Sequence, residues 1–113
     1  MTRTTVVLPE YNGHANYPTW NVLLWLDNEE WSYNMVVRFA KANRAASPTT
    51  YKNRVKRMVK EYINDGKYSD ASCYADIKGW AKEYGKRTAW AIARIDWDGI
   101  VEAIKEHDEE GGE

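Results

Sequence analysis

The stretch from Tyr17 to Asn28, YPTWNVLLWLDN, limits the fold more than any other part of this chain. Read as a helix, it places one set of residues on one face, namely Tyr17, Trp20, Asn21, Leu24, Trp25 and Asn28. The other side is covered by Val22, Leu23 and Leu26. A helix that is apolar nearly all round must be surrounded by other elements or by lipid. About ten residues separate Pro18 from Asp27, roughly half of what a bilayer crossing needs. We therefore expect a central core helix at about residues 18–27.

Two further helices are predicted directly after this segment. Asp27 and Glu30 have the spacing of a capping box, which predicts a helix from about Asn28 to Ala45. Its expected core face is Trp31, Met35, Phe39 and Ala42. Ser47-Pro48 then predicts the start of a third helix, about residues 49–65, which ends before Gly66. Its apolar stripe is Tyr51, Val55, Met58, Val59, Tyr62 and Ile63.

The rest of the chain also has helical periodicity. Ser69 or Asp70 is expected to cap a fourth helix that ends at Gly85, with Cys73, Ile77, Trp80 and Tyr84 aligned along it. Residues 88–95 are small and apolar. Asp96 is expected to cap a last helix, whose inward residues are Trp97, Ile100, Val101 and Ile104.

We therefore predict an all-α fold, a compact single-domain bundle of five to six short helices spanning residues 1–113. Residues 1–13 are expected to form an extended or flexible arm with a turn at Tyr11-Asn12-Gly13, and residues 108–113 a frayed acidic tail. Aromatic residues supply most of the bulk, with six Trp and eight Tyr. We expect the tryptophans to fill the core.

Two boxes resemble a known family of short, largely uncharacterised proteins encoded by bacteriophages, plasmids and other mobile elements. The first box is Asn16-Tyr17-Pro18-Thr19-Trp20-Asn21-Val22, followed by Leu24-Trp25-Leu26-Asp27-Asn28-Glu29. The second is Ile95-Asp96-Trp97-Asp98-Gly99-Ile100-Val101. The resemblance implies an accessory protein of a mobile element, and it carries no catalytic residues onto this chain.

The residue types needed for catalysis are sparse. The single cysteine, Cys73, lies on an apolar face, where a thiol is usually an inert core residue. Two distant histidines make a metal site improbable, and the chain has no Gly-rich phosphate loop. Asn21 and Asn28 share the tryptophan face and either bond to a neighbouring backbone or line a ligand pocket. We predict no enzyme activity, no cofactor and no metal, in a cytoplasmic protein without a membrane segment (the host cytoplasm if it is phage-encoded).

Charge is strongly segregated along the chain although the net charge is only −1. Residues 31–60 contain eight basic side chains and no acidic one: Arg38, Lys41, Arg44, Lys52, Arg54, Lys56, Arg57 and Lys60. Residues 96–113 contain eight acidic side chains against Lys105. The basic set is the predicted contact surface, and a solvated helix face partly neutralised by the acidic tail is the plain alternative.

Three functions fit this pattern. The first is a non-enzymatic accessory protein that binds a host protein or complex and inhibits a defence system such as CRISPR or restriction. In the second, the basic helices at 38–60 bind nucleic acid, with Tyr51 or another exposed aromatic stacking on bases. The third is an oligomeric virion component. The sequence leaves the partner and the oligomeric state open.

Overall fold

The structure, a computed structural model, describes residues 9–110 and contains six α-helices in that range. They are α1 (Tyr17–Asn28), α2 (Glu30–Ala42), α3 (Pro48–Asp65), α4 (Cys73–Glu83), α5 (Thr88–Ala93) and α6 (Trp97–Glu110). No β-strand occurs among these residues, so the all-α prediction is confirmed. α1 packs against α2, α4 and α6, as expected of a central helix. Residues 1–8 of the predicted arm and residues 111–113 of the predicted tail lie outside the described residues.

The start of α1 is joined to the start of α6. Asn16 caps α1, because its Oδ1 accepts a hydrogen bond from the Thr19 N–H at 3.1 Å. The Asn16 amide also donates to the Arg94 carbonyl at 2.7 Å. In return, the Asp96 N–H donates to the Thr19 hydroxyl at 2.9 Å. Asp96 itself caps α6 through a 3.1 Å bond to the Gly99 N–H, as predicted.

The buried face of α1 is the one that carries few aromatic residues. Val22, Leu23 and Leu26 are buried, whereas Trp20 and Trp25 are only half-buried. Leu24 is 37% exposed, and Asn28 is also exposed. The prediction that α1 is enclosed on all sides was therefore wrong. Neighbours also cover Asn21 on the tryptophan side, whereas Leu24, Asp27 and Asn28 border on solvent.

The predicted capping box at the start of α2 is absent. Glu29 occupies the N-cap position and makes no capping hydrogen bond through its side chain. Only this one residue separates the two helices, so the connection is too short to form a capping box. The buried Ser32 hydroxyl instead donates to the Leu26 carbonyl at 2.9 Å, which satisfies an acceptor at the end of α1.

The core face of α2 is displaced by one position from the predicted face. The buried residues are Ser32, Val36 and Ala40. Trp31 and Ala42, which were expected in the core, are exposed, and Met35 and Phe39 are half-buried. The aromatic and sulfur-containing side chains therefore lie at the edge of the core.

Ser47 caps α3 as predicted, through its bond to the Thr50 N–H, and the predicted apolar stripe faces inward with only Met58 half-buried. The start of α4 was mispredicted, since Ser72 caps it rather than Ser69 or Asp70. Ser72 Oγ accepts from the Ala75 N–H at 3.1 Å and donates to the Gly66 carbonyl at 2.8 Å. This second bond holds the end of α3 against the start of α4.

The most deeply buried hydrophobic side chains are aliphatic. The largest fully buried hydrophobic side chains are Leu26, Ile63, Ile77, Ile100, Ile104, Val22, Val36, Val55 and Val59. Of the six tryptophans only Trp97 is buried. The prediction that tryptophans fill the core was wrong for the other five, which are half-buried or exposed. Bulky rings need not be central to exclude water, because they cover a large area from the core boundary.

The turn predicted near the N-terminus is confirmed. The N–H groups of Tyr11 and His14 each donate to the carbonyl of the other residue at 2.9 Å. Asn12 and Gly13 both have positive φ, 47° and 84°, as a type I′ turn requires.

None of the helices among residues 9–110 has both the length and the apolarity needed to cross a lipid bilayer.

Candidate functional site

The residues with catalytic potential are dispersed or buried. Among the side chains of residues 9–108, no three His, Cys, Asp or Glu groups converge as a metal site would require. Cys73 is buried, as predicted for a core residue, and burial followed by the charge of Asp76 raises the pKa of its thiol. A thiol held protonated in this way is a poor nucleophile.

Asp76 organises a polar contact at the edge of the core. Its Oδ2 accepts from the Asn21 amide at 2.9 Å and from the Trp25 indole N–H at 2.8 Å. Asn21 thus bonds to a carboxylate on α4 instead of the backbone group that we expected. Burial, and then the charge of Asp76, raises the pKa of Tyr17, whose hydroxyl accepts from Asn21 at 3.3 Å. These bonds fix α1 against α4.

The acidic helix α6 neutralises part of the predicted basic surface. Arg44 forms a two-bond pair with Asp108, with Nε to Oδ2 at 2.9 Å, and this pairing lowers the pKa of the Asp108 carboxyl. Lys52 forms an ion pair with Asp98 at 2.8 Å. α6 packs against both α2 and α3, and this position brings its carboxylates to these two cations.

The other basic side chains divide into two groups. Lys56 and Lys60 lie over the ring of Trp97, about 6 Å from its centroid in each case. On the other side of α3, Arg54 Nη1 donates to Asn43 Oδ1 at 2.6 Å, at the end of α2. Arg38, Lys41 and Arg57 are exposed. No carboxylate within residues 9–108 forms an ion pair with these three or with Arg54.

α2 and α3 carry one exposed tryptophan and three exposed arginines without an ion pair to any carboxylate of residues 9–108, and the two helices are linked by the Trp31–Tyr62 ring contact and the Arg54–Asn43 hydrogen bond. We call Trp31, Arg38, Arg54 and Arg57 the α2–α3 face. Trp31 is 53% exposed, and two contacts hold its indole ring. Its indole N–H donates to Glu29 at 2.9 Å, and its ring lies 5.5 Å from that of Tyr62. Arg38 follows Trp31 by two helical turns and so shares its side of α2.

A second surface consists of six aromatic rings, each in contact with at least two others of the set. We call Tyr11, Tyr17, Trp20, Trp80, Tyr84 and Trp90 the aromatic strip. Trp80 lies between Tyr17 and Trp90, nearly parallel to both, with centroids 5.9 and 5.7 Å away. Tyr11 and Tyr84 close the two ends and are 39% and 38% exposed. The strip joins the N-terminal turn, α1, α4 and α5.

Two cations lie on the aromatic strip. Arg94 covers the ring of Trp90 with its guanidinium 4.3 Å from the centroid, and Lys86 Nζ lies 5.9 Å from the same centroid. The sequence analysis missed this grouping. A signal was present, because residues 78–94 contain five basic side chains and one acidic one, Glu83.

A protein-family model matches residues 7–110 of the chain. The chain belongs to the DUF7249 family, a family of unknown function. Comparisons with curated proteins and with solved structures find no match. The matched segment contains every residue of the α2–α3 face and of the aromatic strip, so both surfaces belong to the DUF7249 domain itself.

A third feature of the DUF7249 domain is a cleft of about 580 Å³ with the buried His107 in its lining. His107 Nε2 lies 3.0 Å from Asp27 Oδ1, and Nδ1 lies 2.8 Å from the Ala103 carbonyl. Both nitrogens therefore face an oxygen atom. Sequence reasoning missed His107, although it extends the inward stripe of α6 by one turn from Ile104. The contact joins α6 to α1 and lies beside the ring of Tyr33 on α2.

Proposed function

We propose that this protein is a non-enzymatic accessory protein that binds a host protein or complex through the α2–α3 face. The observation that carries the proposal is Trp31, a large aromatic side chain that is 53% exposed but held in one position. Tryptophan and arginine are the residue types most enriched among the strongest contributors to protein–protein binding. The α2–α3 face offers one tryptophan and three arginines.

The geometry of the α2–α3 face suits a rigid anchor. The bond from Trp31 to Glu29 and the contact with Tyr62 fix the indole before binding, so little conformational entropy remains to be lost. Arg54 and Arg57 are exposed at the neighbouring helix and form no ion pair with a carboxylate of residues 9–108. The partner surface that complements this face is acidic around an apolar pocket.

The biological setting that we propose comes from the two sequence boxes. They resemble accessory proteins of bacteriophages and plasmids, and such proteins act in the cytoplasm of the host. A small binding protein in that setting can inhibit a defence complex, such as a CRISPR or restriction system, by occupying a functional surface. Inhibition then requires binding affinity for the complex but no catalysed reaction.

Affinity capture from host lysate tests this proposal, with and without nuclease treatment. The expected result is a stoichiometric host protein that survives nuclease treatment and is lost with Trp31→Ala or Arg54→Glu, each lowering affinity by roughly tenfold or more. Tyr68→Ala is the matched control, because Tyr68 is 93% exposed and lies in the α3–α4 connection. Capture that is unchanged by both face substitutions would show that another surface binds the partner.

A further inference from the structure

We propose that the end of the aromatic strip formed by Tyr84, Lys86, Trp90 and Arg94 binds single-stranded nucleic acid. This site lies on α4, α5 and the residues that follow each helix, and it shares no residue with the α2–α3 face. The inference therefore does not rest on the proposed function. It adds a second surface with a ligand of different chemistry.

The first argument is uncompensated charge. Lys86 and Arg94 approach the same indole ring, and no carboxylate within residues 9–108 forms an ion pair with either of them. By contrast, Arg44 and Lys52 in the predicted basic surface each hold a carboxylate. Two cations that contact one ring and have no counterion attract an anion that carries several charges. A phosphate backbone is such an anion.

The second argument is the availability of a ring for stacking. The faces of Trp80 and Trp90 are occupied by each other, by Tyr17 and by Arg94. Tyr84 is different, because it is 38% exposed and packs on Trp80 and Trp90 at centroid distances of 4.8 and 5.8 Å. Two rings therefore support Tyr84, and part of this residue remains accessible to a base. Aromatic side chains next to a basic surface are the usual platform for single strands.

The third argument concerns the form of the nucleic acid. A base can stack on Tyr84 only when it is free of its own neighbours, as in a single strand or an unpaired loop. Lys86 and Arg94, the two cations that contact Trp90 beside this ring, are both exposed. Tyr51, the residue first considered for stacking, is buried and cannot serve. The ring beneath the cations of residues 38–60 is the buried Trp97, whereas α4–α5 places an exposed ring, Tyr84, beside its cations.

The test uses the full-length protein and a fluorescein-labelled oligodeoxythymidine of about fifteen nucleotides, with anisotropy read across a salt series. Wild-type protein is expected to bind at low salt and to lose affinity as salt rises. Lys86→Gln with Arg94→Gln should reduce the slope of log affinity against log salt by about 1.4, the value for two phosphate contacts on a single strand. Tyr84→Ala should weaken binding roughly 5- to 150-fold, whereas Tyr84→Phe should retain it.

The matched control is Arg54→Gln with Arg57→Gln, which removes two exposed charges from the α2–α3 face. This variant should keep most of the affinity for the oligonucleotide, and its binding should still be weakened by Tyr84→Ala. Circular dichroism confirms that each variant is folded, and the exposure of the substituted side chains makes retention of the fold the expected result. Absence of wild-type binding at low salt would overturn the proposal. So would equal affinity for duplex DNA, or binding lost in the control variant but unaffected by Tyr84→Ala.

Discussion

At the scale of single residues, the side chains that hold this molecule together are polar groups placed among apolar ones. Asn16, Thr19, Ser32 and Asp76 each join two elements through hydrogen bonds at the boundary of the core. Aliphatic side chains supply the bulk of the burial, but they specify orientation weakly because apolar contacts are non-directional. The polar contacts decide which face of α1 meets α4 and where α1 ends.

Asp76 provides the sharpest test at this scale. Asp76→Ala leaves the Asn21 amide and the Trp25 indole N–H without their acceptor, so we expect the free energy of unfolding to fall by about 2 kcal/mol. Both donors use the same oxygen, so Asp76→Asn can retain both bonds and should lose less. Urea denaturation followed by circular dichroism measures the change. Glu83→Ala, an exposed change on the same helix, should stay within about 0.5 kcal/mol, and an equal loss there would contradict this reading.

At the scale of elements, the connections between helices are short and their geometry depends on close contacts. One residue separates α1 from α2, and Ser32 satisfies the carbonyl at the end of α1. The α3–α4 connection places Gly66 against Ser72, where a Cβ on Gly66 would lie 2.6 Å from the Ser72 Cβ. The φ of Gly66 is −90°, so steric space and not backbone conformation requires glycine there.

Two glycine substitutions should therefore have opposite effects on stability. Gly66→Ala forces Ser72 away and weakens its bond to the Gly66 carbonyl, which should lower the free energy of unfolding by about 1–3 kcal/mol. Gly79→Ala lies within α4 and meets nothing within 4 Å, so the higher helix propensity of alanine should raise stability by about 0.5–1 kcal/mol. Thermal unfolding measures both. Equal effects from the two variants would refute the steric account of Gly66.

At the scale of the whole molecule, the position of α6 decides the surface charge. α6 packs against α1, α2 and α3, and its carboxylates reach Arg44 and Lys52. The basic stretch of the sequence is thereby split into two paired residues, two residues over Trp97, and the exposed Arg38, Lys41, Arg54 and Arg57. The aromatic strip lies on a different set of elements, so the molecule has two distinct candidate binding surfaces.

The Arg44–Asp108 pair predicts how stability depends on pH. The pair lowers the folded-state pKa of Asp108 below its ordinary value of 3.8, so its stabilising contribution is present above that pH. The contribution is lost as pH falls through the folded-state pKa and Asp108 takes up a proton. We expect Asp108→Asn to unfold at a lower temperature than wild type at neutral pH, with the difference shrinking toward pH 2. A difference that is constant across this range would rule out a role for the Asp108 charge.

Much of the helical architecture could be predicted from local chemistry in the sequence. Pro48 after Ser47 marked the start of α3, Asp96 marked the start of α6, and the stripes of both helices followed a 3.6-residue period. These signals are local because capping and periodicity involve neighbours within one or two turns. The errors at α2 and α4 arose where Asp27 and Ser69 looked like caps but the chain used other bonds. Asp27 contacts His107, 80 positions away in the chain.

The sequence by itself determined the fold class, most helix boundaries and the burial of Cys73, since these depend on composition, spacing and local hydrogen bonding. Only the tertiary structure decided which side of α1 is buried, which cations keep their charge exposed, and that Tyr84, Trp90, Lys86 and Arg94 meet. Those outcomes depend on contacts between residues far apart in the chain. Such contacts are set by how the helices pack, and local periodicity carries no information about them.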